Sequence, residues 1–540
     1  MKNKKILMSL ALLSFMVLGC TPTPSTSLSS SENLSSSGSE ILSSSSENSS
    51  SEQTHDPVVV DFYAINDFHG RIENDDPHGT TIAKLQTYLK GEKAKNPDNF
   101  VFVNSGDMFQ DTYDSGMNRG ELLAKTMPLM ECEAMGTGNH EFDWGIEYLI
   151  KNREFAAPCE FLSANIYHYD EVNDKVLDFA DDLGKPYKII ERSDVKIGLI
   201  GIIGVEQITS IMSQLVKGYT FIEPTQVVTK ISDYLKGEAG CEAVVVMSHA
   251  SQNGLDEYAP FSRTVTSISP VTGKRYVDAV FTGHTHRTEF ENYNNVPFIQ
   301  SNCHGNNVGH VKMKIGASEN PTILKAETNN VNYAALQPDK EIQSLVDSYL
   351  TPEFYSVKND PVGQITANNG KSFAYSLPKK EGGNLSAWAT YDLMTQDSEC
   401  PQIDVCINNG GRNTVYLQDE GKISKGLIFD SIPFTNKTYV ARIKGSDVLK
   451  SCKYAGNSYY APKELKVKYD EYYNVATTDY MLFHKDAEGN YDRFASFTGE
   501  WMYVEDRYPC DITYTFLQQN PVIDYSDLNK PKEFHNVSEA

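Results

Sequence analysis

Short apolar runs alternate with amphipathic segments along most of the chain. Residues 58–60, 100–103, 196–203, 243–247 and 277–281 are runs typical of buried strands. Residues 80–90 and 223–235 instead carry apolar side chains at helical spacing. Strands that alternate with helices predict an α/β fold built of packed layers.

Polar clusters follow several of the predicted strands within a few residues. They comprise residues 67–69, 106–107, 138–143 and 283–286, together with the single His249. Loops at the carboxyl ends of strands in one sheet gather at one edge. We therefore expect residues that are far apart in sequence to converge on one site.

The side chains in these clusters are the ligands that divalent metals prefer. Carboxylate and amide oxygens are hard donors and imidazole nitrogens are borderline donors, a mixture suited to hydrolytic metal sites. One shared carboxylate, for which Asp107 is the candidate, would hold two ions about 3.5–4 Å apart. The predicted ligands are Asp67, His69, Asp107, Asn139, His249, His284 and His286. His304 is not assigned to the site.

The pattern changes near residue 336, where we predict a domain boundary. An amphipathic helix over 340–350 precedes a stretch at 352–361 that is rich in Pro, Asn and Asp. We predict a first domain over 57–335, a helical linker over 336–361 and a second domain over 362–540, which is an ordinary domain size. Within the second domain, residues 384–395 predict a helix, and 403–407 and 438–443 predict strands.

The amino-terminal residues predict export. Lys2, Lys4 and Lys5 precede an apolar run over 6–18, which is too short to span a bilayer comfortably. The run ends in Val-Leu-Gly-Cys20, which resembles the lipobox of bacterial lipoproteins. We predict a lipoprotein signal peptide over 1–20, lipidation at Cys20, a disordered Ser-rich tether over 21–56 and a lipid-anchored protein at the cell surface. The alternative is an ordinary cleaved signal and a secreted protein.

Composition excludes some partners. The chain carries 48 Lys and Arg against 72 Asp and Glu, a net charge of -24. This charge argues against a nucleic-acid duplex, whose backbone needs cations, and against docking on anionic lipid by charge alone. A lipid anchor would be the only membrane contact. The eight cysteines after Cys20 permit disulfides in an exported protein, but the connectivity stays open.

The polar clusters occur in the order DxH, GD, GNHE, H and GHxH. This series resembles the calcineurin-like metallophosphoesterase superfamily, and the longer strings INDFHG, NSGDMFQDT and GNHEFDWG resemble its 5′-nucleotidase family. The resemblance implies an α/β fold: an N-terminal four-layer α/β-β/α sandwich plus a smaller C-terminal α/β substrate-binding domain. It also implies two divalent metal ions, zinc or manganese, with cobalt or calcium as alternatives.

The resemblance further implies a role for each residue of the metal site. Asp67, His69 and His286 would bind one ion, Asn139, His249 and His284 the other, and Asp107 would bridge them. His140 would be the catalytic histidine and Asp143 its partner, which fixes the imidazole and favours its charged form. The attacking group would be a metal-bound water or hydroxide.

The family's substrate-binding motifs map onto the second domain with departures. Its Asn-Gly-Gly-x-x-Arg loop maps onto Asn409, Gly410 and Arg412, with fewer residues before the arginine. Its stacking aromatics map onto Phe434 and Tyr480, and its ribose-binding Asp onto Asp486. No arginine lies between residues 371 and 404, where relatives often have one, so Lys379 or Lys380 is an alternative phosphate ligand.

These motifs predict an extracellular 5′-nucleotidase that hydrolyses nucleoside monophosphates to nucleoside and phosphate. The departures in the second domain keep two other ester classes open: a 2′,3′-cyclic-nucleotide 2′-phosphodiesterase with 3′-nucleotidase activity, and a nucleotide-sugar hydrolase. A non-catalytic surface lipoprotein that binds a ligand is a third reading. The oligomeric state stays open.

Overall fold

A computed structural model describes residues 56–73, 81–316, 319–485 and 490–529. The predicted signal peptide, Cys20, nearly all of the predicted tether and Asp486 lie outside these residues. The described residues belong to one compact unit. Among them, no helix has the length and apolar character needed to cross a membrane.

The part of the chain before residue 336 alternates strands with helices, as the apolar pattern predicts. Its strands are β1 (Val58–Ile65), β2 (Phe100–Asn104), β3 (Cys132–Gly136), β4 (Glu160–Leu162), β5 (Ile166–Asp170), β6 (Lys175–Phe179), β7 (Tyr187–Arg192), β8 (Val195–Ile203), β9 (Tyr219–Phe221), β10 (Ala243–His249), β11 (Ala279–Phe281), β12 (Thr288–Tyr293), β13 (Val296–Ser301), β14 (Asn307–Ile315) and β15 (Thr322–Asn330). Its helices are α1 (Ile82–Lys93), α2 (Tyr113–Gly116), α3 (Glu121–Leu129), α4 (Ile146–Ala156), α5 (Pro224–Gly237), α6 (Gln252–Leu255) and α7 (Phe261–Val265).

Two six-stranded sheets form the centre of this part. Their strand orders are β15-β14-β1-β2-β3-β4 and β12-β13-β11-β10-β8-β7. β1 to β4 run parallel in the first sheet, and β8, β10, β11 and β13 run parallel in the second. Strands that are buried on both faces appear in the sequence as continuous apolar runs, as these do.

Side-chain alternation along the strands divides the core into layers. In β1, Val60 and Phe62 point into the core between the two sheets, and Tyr63 and Ile65 point to a core shared with α1, α3 and α4. On the far side, β10 presents Val246 to a core shared with α5 and α7. The order is therefore helices, sheet, sheet, helices, which confirms the predicted four-layer sandwich.

The segment predicted as a linker is helical and packs on the first core. It contains α8 (Lys340–Tyr349) and α9 (Pro352–Asn359). Asp339 caps α8 by accepting from the N–H groups of Glu341 and Ile342, and Ile342 and Val346 are buried in the helix-side core of the first sheet. The predicted amphipathic pattern therefore marks a helix of the first layer.

The rest of the described chain is a second α/β part. Its strands are β16 (Pro361–Ala367), β17 (Ser372–Phe373), β18 (Ser376–Leu377), β19 (Val405–Asn409), β20 (Val415–Tyr416), β21 (Lys422–Ser424), β22 (Thr438–Lys444), β23 (Asn457–Tyr460), β24 (Tyr472–Thr478), β25 (Tyr503–Glu505) and β26 (Val522–Asp524). Its helices are α10 (Lys379–Thr395), α11 (Lys425–Ser431), α12 (Gly445–Lys453), α13 (Asp479–Phe483) and α14 (Pro509–Gln519). The main sheet has the order β23-β19-β24-β22-β25, so the predicted helix and both predicted strands are present.

Candidate metal centre and substrate cavity

The seven predicted ligands meet where the carboxyl ends of the two sheets face each other. In the first sheet, Asp67 and His69 follow β1, Asp107 follows β2 and Asn139 follows β3. In the second sheet, His249 is the last residue of β10, and His284 and His286 follow β11.

Three of these residues form one group of donors. The Nε2 atoms of His69 and His286 lie 2.8 Å apart. Oδ1 of Asp67 lies 3.3 Å from the His286 nitrogen and 3.8 Å from that of His69. One carboxylate and two imidazoles therefore bring ligand atoms within 4.8 Å of one another, a group that could hold a metal ion.

The second group has the same kind of donors on the other side of Asp107. Nε2 of His249 lies 3.0 Å from Oδ2 of Asp107 and 3.1 Å from Oδ1 of Asn139. Nδ1 of His284 also lies 3.1 Å from the Asn139 oxygen. Carboxylate, amide and imidazole donors in this mixture fit divalent metal ions at both points.

Asp107 lies between the two groups and faces an imidazole of each. Its Oδ2 is 3.8 Å from Nε2 of His69 and 3.0 Å from Nε2 of His249. Burial disfavours the charged carboxylate, but His249 and His140 outweigh that effect and hold its pKa well below the usual value. The position suits a bridging ligand, and the assignment stays a prediction.

Backbone oxygens orient two of the imidazoles. Nδ1 of His249 lies 2.9 Å from the Ser105 carbonyl oxygen, and Nδ1 of His69 lies 3.1 Å from the Gln110 carbonyl oxygen. A donor hydrogen on each Nδ1 leaves Nε2 as the nitrogen that points to the donor groups. The loops after β2 thus fix the tautomer of ligands on both sheets.

Five of the seven predicted ligands occupy the left-handed region of backbone space. Their φ angles are 51° at Asp67, 54° at His69, 54° at Asp107, 78° at His284 and 57° at His286. Such angles are uncommon for residues other than glycine, and they cluster at functional sites where the surroundings hold them.

The imidazoles have pKa values that diverge according to their neighbours. Burial, together with the charge on His249, lowers the pKa of His284 to about 4. At His249 and His286 burial also favours the neutral ring, but Asp107 raises the first pKa to about 9 and Asp67 raises the second to about 10. The carboxylates therefore attract positive charge into each group.

His140 and Asp143 form the predicted pair beside these groups. Nδ1 of His140 lies 2.7 Å from Oδ2 of Asp143. The backbone N–H of His140 donates to Oδ1 of Asp107 at 2.9 Å. Burial opposes a charge on the ring, but Asp143 and Asp107 raise its pKa. The pair is held in a short 3-10 turn, His140–Phe142, and Nδ1 is engaged, so Nε2 is the nitrogen left for a substrate.

The buried Glu141 ties two ligand loops together. Its Oε2 accepts from the N–H groups of Asp107 and Gly138 at 2.9 and 2.7 Å, and its Oε1 accepts from the N–H of Met108 at 2.8 Å. A Cβ on Gly138 would collide with Oδ1 of Asp107, so this close approach requires glycine.

A cavity of about 280 Å³ extends from the predicted metal ligands Asn139 and His284 toward the second part of the chain. Both parts of the chain contribute walls, so a ligand in the cavity would touch both. The lining residues are Gln110, Asn139, His140, Asp143, Ser210, Met212, Leu215, His284, Asn409, Arg412, Phe434, Thr435, Asn436 and Tyr480.

Four of the six predicted substrate-binding residues line this cavity: Asn409, Arg412, Phe434 and Tyr480. Gly410 does not line it. Its N–H donates to the Gly456 carbonyl oxygen at 3.0 Å, and the missing side chain permits that backbone contact. The sixth residue, Asp486, lies outside the described residues.

Arg412 points from the second part of the chain to the metal-binding groups. Its Nη2 lies 3.4 Å from Nε2 of His69, and its Nε donates to Oδ1 of Asp111 at 3.3 Å. Burial opposes its charge, but Asp111 and the carboxylates of the site raise its pKa. The shortened loop therefore brings the arginine into the site. The alternative phosphate ligands Lys379 and Lys380 do not line the cavity, and Nζ of Lys380 donates to the Asn457 carbonyl oxygen.

His304 lies at the site although none of the sequence motifs includes it. Its N–H donates to the Asp67 carbonyl oxygen at 2.8 Å, and its ring centroid is 5.9 Å from that of His69. Burial, reinforced by Arg71, lowers its pKa to about 2, so the ring is neutral. Its place just after β13, in the second sheet, is the sequence signal that could have found it.

Comparison with known proteins agrees with this geometry. Residues 60–288, which include all seven predicted ligands, match the calcineurin-like phosphoesterase family. The chain is 24% identical over 462 residues to the cell wall protein Lmo0130 of Listeria monocytogenes, covering 77% of this chain but only 58% of that protein. It is 24% identical over 416 residues to a snake venom 5′-nucleotidase of Crotalus adamanteus, covering 71% of this chain and 67% of that enzyme.

A solved structure shows the same fold over both parts of the chain. It is that of a 5′-nucleotidase precursor from Thermus thermophilus, with a TM-score of 0.67, 17% identity, and coverage of 86% of this chain and 97% of that one. Residues 60–288 thus belong to a calcineurin-like phosphoesterase domain, whose fold implies divalent metal ions. Within that class its relatives and structural neighbours include 5′-nucleotidases, which confirms the family predicted from the motifs.

Proposed function

We propose that this chain is a metal-dependent phosphoric ester hydrolase that converts nucleoside monophosphates to nucleoside and phosphate. The observation that carries the proposal is a single cavity with two kinds of wall. His140, Asn139 and His284 lie on one side, and Phe434 and Tyr480 belong to the same lining. A phosphate at the first wall and a planar base at the second would fill one continuous space.

The seven predicted ligands would hold two divalent ions, in the grouping given by the family resemblance. Ions bound there would lower the pKa of a water molecule and neutralise charge on the phosphoryl oxygens. Arg412 would add a fixed positive fork for the same oxygens, because Asp111 holds the other edge of its guanidinium.

His140 would act on the ester oxygen that leaves with the nucleoside. Asp143 holds Nδ1 at 2.7 Å, which directs Nε2 into the cavity and stabilises the imidazolium. A proton donated from Nε2 to the leaving oxygen, and charge stabilisation of the transferring phosphoryl group, would each favour the transition state.

The base would bind by stacking between or against Phe434 and Tyr480. Aromatic faces hold any nucleobase with little regard to its identity, so we propose broad specificity for the base. Thr478 Oγ1 donates to Oδ1 of Asn409 at 2.8 Å, and this bond sets the amide of Asn409 at the cavity wall.

We propose an extracellular location for the protein. The motifs of residues 1–20 support it, with lipid attached at Cys20 as the anchor. The relatives include a cell wall protein and a snake venom enzyme, which is consistent with work outside the cell. Labelling with a radioactive fatty acid, lost in Cys20→Ser, would test the anchor itself.

The decisive experiment is phosphate release from a substrate panel after chelation and return of zinc, manganese, cobalt or calcium singly. We expect activity on nucleoside monophosphates only after metal is returned, and loss of about 100-fold or more in kcat for His140→Ala. His168→Ala, a half-exposed histidine paired with Asp182, is the matched control and should keep full activity. Equal activity in the chelated and metal-loaded protein would contradict the proposal.

The same panel should contain 2′,3′-cyclic nucleotides, 3′-nucleotides and nucleotide sugars. A preference for one of these would move the substrate assignment to that ester class while keeping the hydrolytic chemistry. Hydrolysis of a cyclic nucleotide or a nucleotide sugar yields a phosphomonoester, so its products are separated by chromatography. Absence of every hydrolysis product with every ester and every metal would leave the chain a binding protein.

A further inference from the structure

A second cavity of about 250 Å³ lies beside the substrate cavity. Like the first, it is lined by residues from both parts of the chain, and Thr435 belongs to both linings. Oγ1 of Thr435 donates to the Asp143 carbonyl oxygen at 3.4 Å, so this shared wall residue contacts the predicted catalytic pair. The lining residues are Tyr113, Gly116, Met117, Arg119, Trp144, Lys425, Phe429, Thr435, Tyr508, Cys510, Asp511 and Tyr514.

Five of the twelve residues that line this second cavity are aromatic. Trp144 directly follows Asp143, Tyr508 directly precedes α14, and Tyr514 lies within α14. All three rings are half-buried. Tyr113 and Phe429 are buried, with ring centroids 5.7 Å apart, and they join α2 to α11. Aromatic faces from two sides make a slot that suits a planar ring system.

Two cations line the same slot. Arg119 and Lys425 form no ion pair with a carboxylate of the described residues, whereas Asp511 is the one acidic side chain in the lining. Nζ of Lys425 lies 5.4 Å from the Tyr514 ring centroid, and Cζ of Arg119 lies 4.5 Å from that of Tyr148. Both charges are thus held against aromatic rings, and a net positive charge remains in the slot.

We propose that this second cavity is a binding site for a planar aromatic ligand that carries an anionic group. The rings of Trp144, Tyr508 and Tyr514 would hold its flat part, and Lys425 and Arg119 would bind its carboxylate, sulfonate or phosphate. A ligand there would touch both parts of the chain and would adjoin the Thr435 wall of the substrate cavity. This site is additional to the proposed phosphoesterase function and does not require it.

The fluorescence of Trp144 offers a direct test with the metal-loaded protein. The probe is 2-naphthoate, and the matched neutral probe is 2-naphthylmethanol. We expect 2-naphthoate to quench the part of the emission that Trp144→Phe removes, with an affinity at least about tenfold higher than that of the neutral alcohol. Equal affinity for the two probes would overturn the proposed role of the cations.

Variants assign the binding to one cavity or the other. We expect Lys425→Gln and Arg119→Gln to weaken 2-naphthoate binding by about tenfold each, while Phe434→Ala in the substrate cavity leaves it unchanged. Lys422→Gln, on the neighbouring strand and paired with Glu420, is the control and should bind as the native chain does. Loss of binding in Phe434→Ala with normal binding in Lys425→Gln would place the probe in the substrate cavity and overturn the proposal.

The outcome is independent of the proposed hydrolysis. Phosphate release from nucleoside monophosphates can fail while 2-naphthoate still binds, and the reverse can also be observed. Unaltered Trp144 emission at millimolar 2-naphthoate would overturn the second site and leave the phosphoesterase proposal untouched.

Discussion

The Asp111 carboxylate in the first part of the chain accepts a hydrogen bond from Arg412 Nε in the second part, with 3.3 Å between the two atoms. Asp111 is buried, and its other oxygen accepts from Nδ2 of Asn413 at 3.1 Å. Because Nη2 of Arg412 lies 3.4 Å from Nε2 of His69, this carboxylate positions a cation of the second part beside a predicted metal ligand of the first.

We expect Asp111→Asn to lower kcat/KM for nucleoside monophosphates by about tenfold. A hydrogen bond to a charged partner is worth about 1.5–3 kcal/mol, and the amide would hold Arg412 less firmly. Steady-state kinetics together with metal analysis check this, because the metal content should stay unchanged. Asp506→Asn, an exposed carboxylate paired with Lys437, should have native kinetics. A loss of metal in Asp111→Asn would point to collapse of the site instead.

Phe434→Ala should raise KM for nucleoside monophosphates by about tenfold, since stacking of a base on an aromatic side chain is worth about 1–3 kcal/mol. The kcat/KM for glycerol 3-phosphate, which has no ring, should not change. Phe373→Ala removes a half-exposed phenylalanine that is not part of the cavity lining and serves as the control. Equal losses with both substrates would contradict a role in stacking.

Glu141→Gln should weaken metal binding by about 10–100-fold, as is usual when a residue that positions the ligands is changed. The substituted side chain would present an amide NH₂ where Glu141 now accepts from backbone N–H groups on the loops of Asp107 and Gly138. Titration with zinc against a competing chelator measures the effect. Glu147→Gln, an exposed residue of α4, should bind zinc normally.

Asp430 should make stability depend on pH. Its Oδ1 accepts from the Tyr113 N–H at 2.6 Å across the contact between α11 and α2. Burial raises its pKa to about 7; Lys358 and Arg71 oppose this shift and Asp114 adds to it. Because the folded pKa lies above the ordinary value of 3.8, the contribution to stability is fully present below about pH 4 and is lost as the pH rises through about 7.

Thermal unfolding of chelated protein at pH 5 and pH 8 checks this sign. The quantity to compare is the Tm of Asp430→Asn minus the Tm of the native chain. We expect this difference to be at least about 2 °C larger at pH 8 than at pH 5. The amide keeps the acceptor for Tyr113 but carries no charge to bury. A difference that is the same at both pH values would show that Asp430 does not titrate in this range.

The convergence of the predicted metal ligands could be read from the sequence because its signals are local. Each ligand lies within a few residues of an apolar run, and the donor types of Asp67, Asp107 and His249 are visible in the letters themselves. His304 follows a strand as well, with Asn302 and Cys303 just before it, but it belongs to none of the motifs of the family resemblance. The pairing of β11 with β13 brings it to the site.

The substrate cavity was harder to predict because its walls depend on how separate parts pack. Ser210, Met212 and Leu215 line it from a loop between β8 and β9 that has no chemical signature. Lys380 lies in the right stretch of sequence for a phosphate ligand, but its Nζ is held by β23. A sequence pattern within one segment does not indicate how far that segment lies from another in the folded chain.

The predicted metal ligands and the predicted substrate-binding residues lie in separate segments, which constrains how this protein can diverge. All seven predicted ligands lie between residues 67 and 286, whereas the predicted contacts to the nucleoside lie between 409 and 486. Exchange of the later segment between homologues could change the accepted ester while the reaction chemistry is inherited unaltered. Asp111 limits such an exchange, because the new segment must carry a cation at the position of Arg412 to which this carboxylate can bind.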